Sequence, residues 1–318
     1  MSLLIATLSI GLVFAVLALG IYLSFRVYQI PDITADGSFP LGAAIAARLL
    51  QQDWDPLSAT VAGMAGGAVA GCITGFVHVR FKVDALLSGI LMMTALYSVN
   101  LRVLGSSNVQ ITGRTVFTPL DAFAERTLGE SVRLLGFDVP SADLGTLLTC
   151  ALVTAGAGTL LVLFLKTELG AAMRATGENA RMLRALGTST ERMTVLGLAL
   201  SNALVALSGA LFAQMQAFAD AQMGIGVIVL GLASVILGQT LVGPVRSVSL
   251  GVAGAVMGAV LFRLLVAIAI RMGLDANDLK LVTAVVVLAA IVGPGQVKEF
   301  RARRARTRLR KEEAHAAA

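Results

Sequence analysis

Apolar residues run along this chain in long blocks, with no strand-like alternation. Leu3–Phe25 and Leu144–Leu165 contain no charged residue. Each exceeds the roughly 20 residues a helix needs to cross the hydrocarbon core of a bilayer. A helix of that length in a soluble domain would keep a polar stripe; these keep none. The same pattern predicts spans near 57–79, 84–101, 193–217, 248–270 and 279–292. Two weaker segments, 39–50 and 224–242, are shorter or rich in glycine. They predict broken or partly re-entrant helices, because irregular backbone survives at membrane depth only where protein or a cavity surrounds it. The expected fold is all-α: a polytopic transmembrane helical bundle of about nine crossings, the short and broken helices included. Residues 1–295 form this membrane domain, with an external loop at 102–143, a cytoplasmic loop at 166–192 and a basic tail at 296–318.

Composition agrees with the pattern. Apolar residues make up 57% of the chain and charged residues 14%, where a soluble domain carries about a quarter; the mean hydropathy is +0.84. The net charge of +6 could be mistaken for a nucleic-acid signal, but Gln296–Ala318 alone holds eight Lys/Arg against three Glu. A basic tail after an apolar span is the ordinary cytoplasmic flank of a membrane protein, with some attraction to anionic lipid. Phe300 is its sole aromatic residue, so nucleic acid is not an expected partner. With 166–192 placed inside, the inner loops and tail carry 17 of the 25 basic residues. That predicts an external N-terminus and a cytoplasmic C-terminus. The N-terminus lacks the basic flank of a cleaved signal. Cys72 and Cys150 sit in apolar segments and read as packing residues.

The two halves resemble each other at an offset of 188 residues. Asp32 and Asp220 each follow a long apolar span, and Gly63, Gly66 and Ala70 fall on Gly251, Gly254 and Gly258. An odd number of crossings between matching elements would make the repeat inverted, a common plan of transporters; chance matching of glycine-rich spans is the other reading.

Catalytic chemistry is not indicated. The sequence has no Gly-Lys-Ser/Thr phosphate loop, no His-Glu-x-x-His and no Gly-x-Ser-x-Gly. No cofactor is expected in this chain. His78 reads as an interfacial polar residue. An ion-coupled carrier would bury carboxylates within its spans, and the nearest here, Asp84 and Asp220, fall at predicted ends. Arg263 lies inside a span and reads as snorkelling or structurally paired. Polar positions at membrane depth are Ser201, Asn202, Ser234 and Gln239, which read first as interhelical hydrogen-bonding groups. Ser38 and Pro40 suit a helix start.

The most patterned polar stretch is 166–192. Gly177 is expected to break a helical run, Asn179 to cap a second short helix and Gly187 to end it. Thr188 and Glu191 have capping-box spacing before the next span. Two short helices around a turn would present Met182, Leu183 and Leu186 beside Arg181 and Arg184. Such a helix could seat in a partner's groove or lie on the bilayer.

The stretch Arg174-Ala-Thr-Gly-Glu-Asn through Ala185-Leu-Gly187 resembles the cytoplasmic coupling loop of ATP-binding-cassette importer permeases for branched-chain amino acids and ribose. Ala18-Leu-Gly20 with Ile33-Thr-Ala-Asp-Gly-Ser-Phe-Pro-Leu-Gly42 is similar to that family's first block, and Gly224-Ile-Gly226 through Val235-Ile-Leu-Gly238 to its later glycine-rich helix. The form of the first block and the Asn202 region resemble the tryptophan/tyrosine transport subgroup. The resemblance implies a permease subunit of the inner membrane, without an ATPase site of its own. Its partners would be an ATPase subunit that binds ATP, an extracytoplasmic solute-binding protein and a second permease copy. The coupling residues it implies are Thr176, Gly177, Glu178, Asn179, Arg181, Met182, Arg184, Leu186 and Gly187. Asp36, Ser38, Asn202, Ser234 and Gln239 are candidates for the translocation pathway. The solute implied is amino acid-like, aromatic first; an importer of a sugar or nucleoside and an ion-coupled carrier are the alternatives.

Overall fold

The computed structural model describes residues 2–129, 131–134, 137–243 and 247–271, with four further helical positions, 281, 284, 285 and 288. The tail at 296–318 and most of the span expected at 279–292 lie outside the described residues. Helix α1 (Ser2–Ile21) continues as a π-helical turn (Tyr22–Val27). Then come α2 (Ala35–Leu50), α3 (Pro56–Phe81), α4 (Ala85–Leu104), α5 (Thr118–Leu128) and α6 (Ser141–Lys166). Helices α7 (Glu168–Ala185), α8 (Thr190–Gln216), α9 (Val227–Val242) and α10 (Val248–Arg271) follow. Strands β1 (Asn108–Gln110) and β4 (Phe218–Asp220) pair antiparallel, as do β2 (Ser131–Leu134) and β3 (Phe137–Pro140).

Apart from 279–292, the apolar blocks became helices within a few residues of their expected ends. Among the described residues, six helices are long and apolar enough to cross a membrane: α1 with its π turn, α3, α4, α6, α8 and α10. At 16 residues each, α2 and α9 are about 24 Å long, short of a hydrocarbon core of about 30 Å. Local chemistry fixes several ends. Asp55 accepts the Ser58 amide at 3.1 Å with Pro56 in the first turn of α3. Asp84 accepts the Leu86 amide at 2.9 Å at the start of α4, which accounts for one of the two carboxylates near span ends. His78 Nδ1 sits 2.7 Å from the Val83 carbonyl oxygen where α3 ends. Cys150 is buried, but Cys72 is on the exposed face of α3.

Two expected helix starts need correction. Ser38 and Pro40 do not start α2; it begins at Ala35, and Pro40 lies inside it. Pro40 has no N–H for the Asp36 carbonyl one turn back, and Gly224 closes over that oxygen. The α8 cap is Ser189, which accepts the Arg192 amide at 3.4 Å, in place of Thr188. The connection at 102–143 contains α5 and three short strands.

Helices α1 and α8 occupy the centre, 72% buried over their apolar windows, whereas α4 and α6 are only 22% and 28% buried. They run antiparallel: Ser201 Oγ donates to Gly20 O and Ser208 Oγ to Val13 O, each at 2.8 Å. The order α1–α2–α3 recurs as α8–α9–α10 with reciprocal packing. Helix α3 lies on α8, where a Cβ at Gly67 or Gly71 would overlap the carbonyl oxygen of Asn202 or Leu198. Helix α10 lies on α1, with Gly11 against Val260. Asp32 accepts the Thr34 amide at 2.9 Å, and Asp220 accepts the Gln222 amide at 2.6 Å. The same turn thus recurs 188 residues on. Antiparallel first helices make this repeat inverted, in line with the helical polytopic bundle expected.

Candidate functional site

The π turn leaves α1 under-wound at its C-terminal end, and π turns cluster at functional positions. The chain then folds back into the bundle through residues 28–34. Gln29 adopts a left-handed φ of 56°, an uncommon conformation for a residue with a side chain. At the end of this segment sits a buried polar cluster. Asn202 of α8 donates from Nδ2 to Asp32 Oδ2 at 2.6 Å and accepts the Ser38 hydroxyl at 2.7 Å. The hydroxyls of Thr34 and Thr74 are 2.9 Å apart. Asp32, Thr34, Ser38 and Asn202 are all at most 2% exposed, so solvent supplies nothing and every bond must come from protein. The partners found for Asp32 are a backbone amide and a carboxamide, both neutral.

Ser38 and Asn202 are thus brought together, and Asp36 does something different. Its carboxylate crosses to the second repeat and caps α9, accepting the Ile228 amide at 2.8 Å and the Gly226 amide at 3.2 Å. The start of α2 is thereby tied to the start of α9. Ser234 is fully buried and donates to Leu230 O within its own helix at 2.8 Å. Gln239 has a buried Nε2 with no acceptor found. Neither joins the Asn202 cluster.

The stretch 166–192 folds as two helical pieces around an elbow. Asn179 has non-helical φ and ψ of −153° and 83°, and its side chain accepts the Met182 amide at 3.0 Å. Gly187 takes φ of 82° and ends the second piece. Gly177 is not the break. It lies within the first piece, where a Cβ would overlap the Val27 carbonyl oxygen. On the second piece Leu183 turns inward, while Met182 and Leu186, beside Arg181 and Arg184, are 55% and 71% exposed. Thr176 donates to Ala172 O at 2.8 Å. Glu178 shares a cavity of about 310 Å³ with Tyr22, Arg26 and Arg174.

Tyr28 joins elbow and bundle. Its hydroxyl donates to Met193 O, and its ring fills the space a side chain at Gly197 would need. Burial pushes that hydroxyl above the ordinary tyrosine value, so it remains a donor. Sequence reasoning did not single out Tyr28 and used Asp32 only as a repeat marker. The Asp32-Ile33-Thr34 spacing, an Asx turn ahead of a helix, was the available signal for Asp32.

On the opposite face a cavity of about 300 Å³ is lined by Ser9, Asp121, Asp143, Thr146 and Gln214. Burial raises the Asp121 carboxyl, opposed by a hydrogen bond from Thr146. Thr115 also lines a neighbouring cavity of about 800 Å³ bearing Trp54, Asp53, Asp55 and Arg114. Arg263 neither joins these cavities nor the polar cluster; its guanidinium stands 6.0 Å from the Phe14 ring centre, a cation–π distance. Phe14 in turn packs on Phe39 and Phe212.

The model of the family described as branched-chain amino acid transport system / permease component matches residues 3–292. Among curated proteins, the chain is 37% identical over 289 residues to a tyrosine transport system permease protein of Clostridioides difficile (strain R20291), covering 91% of this chain and 90% of that one. It is 29% identical to an uncharacterized protein of Rickettsia prowazekii (strain Madrid E), over 92% and 97% of the two chains. A ribose import permease protein of Escherichia coli (strain K12) is more distant, at 24% identity over 90% and 81%. No solved structure matches the chain. The chain belongs to this permease family, and it is a membrane-spanning permease component of a transport system.

Proposed function

We propose that this chain is the membrane-spanning subunit of an ATP-binding-cassette importer that carries an amino acid-like solute, an aromatic amino acid first, into the cytoplasm. The observation that carries the reading is the α7 elbow. Its second piece offers Met182 and Leu186 with two arginines and has no partner for them among the described residues, while its first piece is seated on Val27. An exposed apolar pair flanked by cations suits a groove on a separate ATPase subunit. ATP then belongs to that subunit. The other components are an extracytoplasmic solute-binding protein and a second permease copy, in an inner membrane with 166–192 and the C-terminus cytoplasmic.

The aromatic preference rests on the tyrosine transport permease that the chain resembles. The polar residues of the cavity facing away from α7, neutral apart from Asp121 and Asp143, suit a zwitterion better than a phosphate. A sugar permease remains the second reading because of the ribose relative. Buried Asp32 removes the sequence argument against ion coupling, but its bonds to Thr34 and Asn202 tie it into the packing. Asp36, Ser38, Asn202, Ser234 and Gln239 would act on the pathway by holding α2, α8 and α9 in register, since in this conformation Ser38, Asn202 and Ser234 are shut off from solvent.

The test is reconstitution of the chain with its ATPase and solute-binding protein in vesicles, followed by uptake of tyrosine, tryptophan and phenylalanine. ATP-dependent uptake of one of them is expected, with no ATP hydrolysis by the purified chain alone. Tight binding of a sugar by the solute-binding protein, undisplaced by those amino acids, would overturn the solute. ATP-independent uptake would overturn the importer class.

A further inference from the structure

We propose that Tyr28 is the positioning residue that transmits displacement of the α7 elbow to the buried Asp32–Asn202–Ser38 cluster. The inference rests on α7 being the ATPase-docking element.

Three contacts carry it. On the cytoplasmic side, Gly177 leaves no gap against the Val27 carbonyl, and a Cβ there would stand 3.1 Å from the Tyr28 Cα. On the bundle side, the Tyr28 ring lies flush on Gly197 while its hydroxyl holds the Met193 carbonyl. Two glycines therefore bracket one aromatic residue without free volume. A close-packed contact of this kind passes on a displacement instead of absorbing it. The third contact is covalent: four residues after Tyr28, Asp32 grips Asn202 one helical turn and a half beyond Gly197.

The backbone around Tyr28 departs from regular helix at the point where such a displacement would act. The π turn carries bonds from the Tyr28 amide to Leu23 O and from the Ile30 amide to Ser24 O, each at 3.0 Å. These are five- and six-residue spacings in place of four. Gln29 is held left-handed directly after Tyr28. Strained residues of this sort persist only where their surroundings over-determine them, and they concentrate at switch regions. Rewinding the π turn by one residue would rotate Tyr28 away from Met193 and draw on the 29–34 segment that ends in Asp32. Spatial succession alone would be weak support for a coupling route; here a tight contact, a strained hinge and a buried anchor fall within seven residues.

The readout should not depend on the solute. A Thr115→Cys probe in a cysteine-free background reports the cavities on the face away from α7. The chain is assembled with its ATPase, and thiol labelling is measured before and after one round of ATP hydrolysis is arrested with vanadate, which takes the place of the released phosphate and traps ADP. The wild-type residue at 28 should change the labelling rate by about fivefold or more, the lower range of allosteric couplings. Tyr28→Ala should abolish the change with the ATPase still bound and the nucleotide still trapped. Tyr28→Phe, which keeps the ring and loses the hydroxyl, should fall between. A full response in both variants overturns the proposal. A residue with a structural role alone would reduce the amount of assembled complex and leave the response per complex intact. If Tyr28→Ala does not assemble, Tyr28→Phe and Gln29→Gly decide, and an unchanged response in both overturns it. No nucleotide response with Tyr28 present, despite ATPase binding, also overturns it, whereas failure of the ATPase to bind at all removes the reading of α7 beneath it.

Discussion

Asn202 shows how much rests on one carboxamide at membrane depth. It satisfies Asp32 and Ser38 together and back-bonds to Leu198 O at 2.9 Å. Replacing it with alanine leaves a buried carboxylate oxygen and a buried hydroxyl without partners, each worth about 1–3 kcal/mol. Asn202→Ala should therefore destabilise the detergent-solubilised chain by about 3 kcal/mol, read by thermal unfolding. The pair Asp32→Ala and Asn202→Ala should cost clearly less than the two single changes combined, since residues in one network couple; additive effects would show that the bond carries little. Ser38 and Asn202 were legible as polar residues in apolar surroundings. Their meeting was not, because 164 residues separate them and spacing says nothing about which helices touch. Asp36 was legible as part of a glycine-containing turn only through the family resemblance, and its capping of α9 required the fold.

At the scale of elements, glycine decides which helices meet. Gly67 and Gly71 let the α3 backbone lie on α8, whereas a Cβ at Gly156 of α6 would meet nothing within 4 Å. Gly71→Leu should force the pair apart and sharply lower the yield of monodisperse protein in size-exclusion chromatography. Gly156→Leu should be tolerated. Equal behaviour of the two would mean that the α3–α8 contact does not hold the bundle. Helix α7 invites the opposite experiment. Met182 and Leu186 are so exposed that Met182→Ala with Leu186→Ala should leave stability within about 0.5 kcal/mol, yet weaken copurification of the ATPase. Unchanged copurification would favour a helix lying on the bilayer. The cap at Asn179 and the end at Gly187 were readable because they are local chemistry. The break expected at Gly177 was misplaced because glycine has two uses, and here close approach to Val27 claims it. The start of α2 was misread for a related reason: Pro40 is tolerated inside the helix because Gly224, from the second repeat, takes up the space beside the freed carbonyl.

At the scale of the molecule, two independent signals bear on orientation. The basic residues gather on one side in the sequence, 17 of 25, and the antiparallel contacts place α1 and α8 in opposite directions through Ser201 and Ser208. The first predicts which side is cytoplasmic; the second requires that the elbow at Glu178, before α8, share a side with the end of α1. Helix α5 lies beyond α4 at the other end of the bundle, packed through Asp121 on Gly145 of α6, so its residues must face the opposite compartment. Single cysteines at Glu178 and Glu125, in a cysteine-free chain, therefore make one joint prediction. An impermeant thiol reagent applied to intact cells should label position 125 and leave 178 unlabelled until the cells are permeabilised. Labelling of 178 alone would invert the orientation and remove α7 from any cytoplasmic ATPase, while labelling of both from outside would contradict the antiparallel frame itself. Charge counting could reach the first of these conclusions without a fold. The second needed the packing, because the hydroxyl-to-carbonyl bonds between α1 and α8 fix which ends of the two repeats lie together.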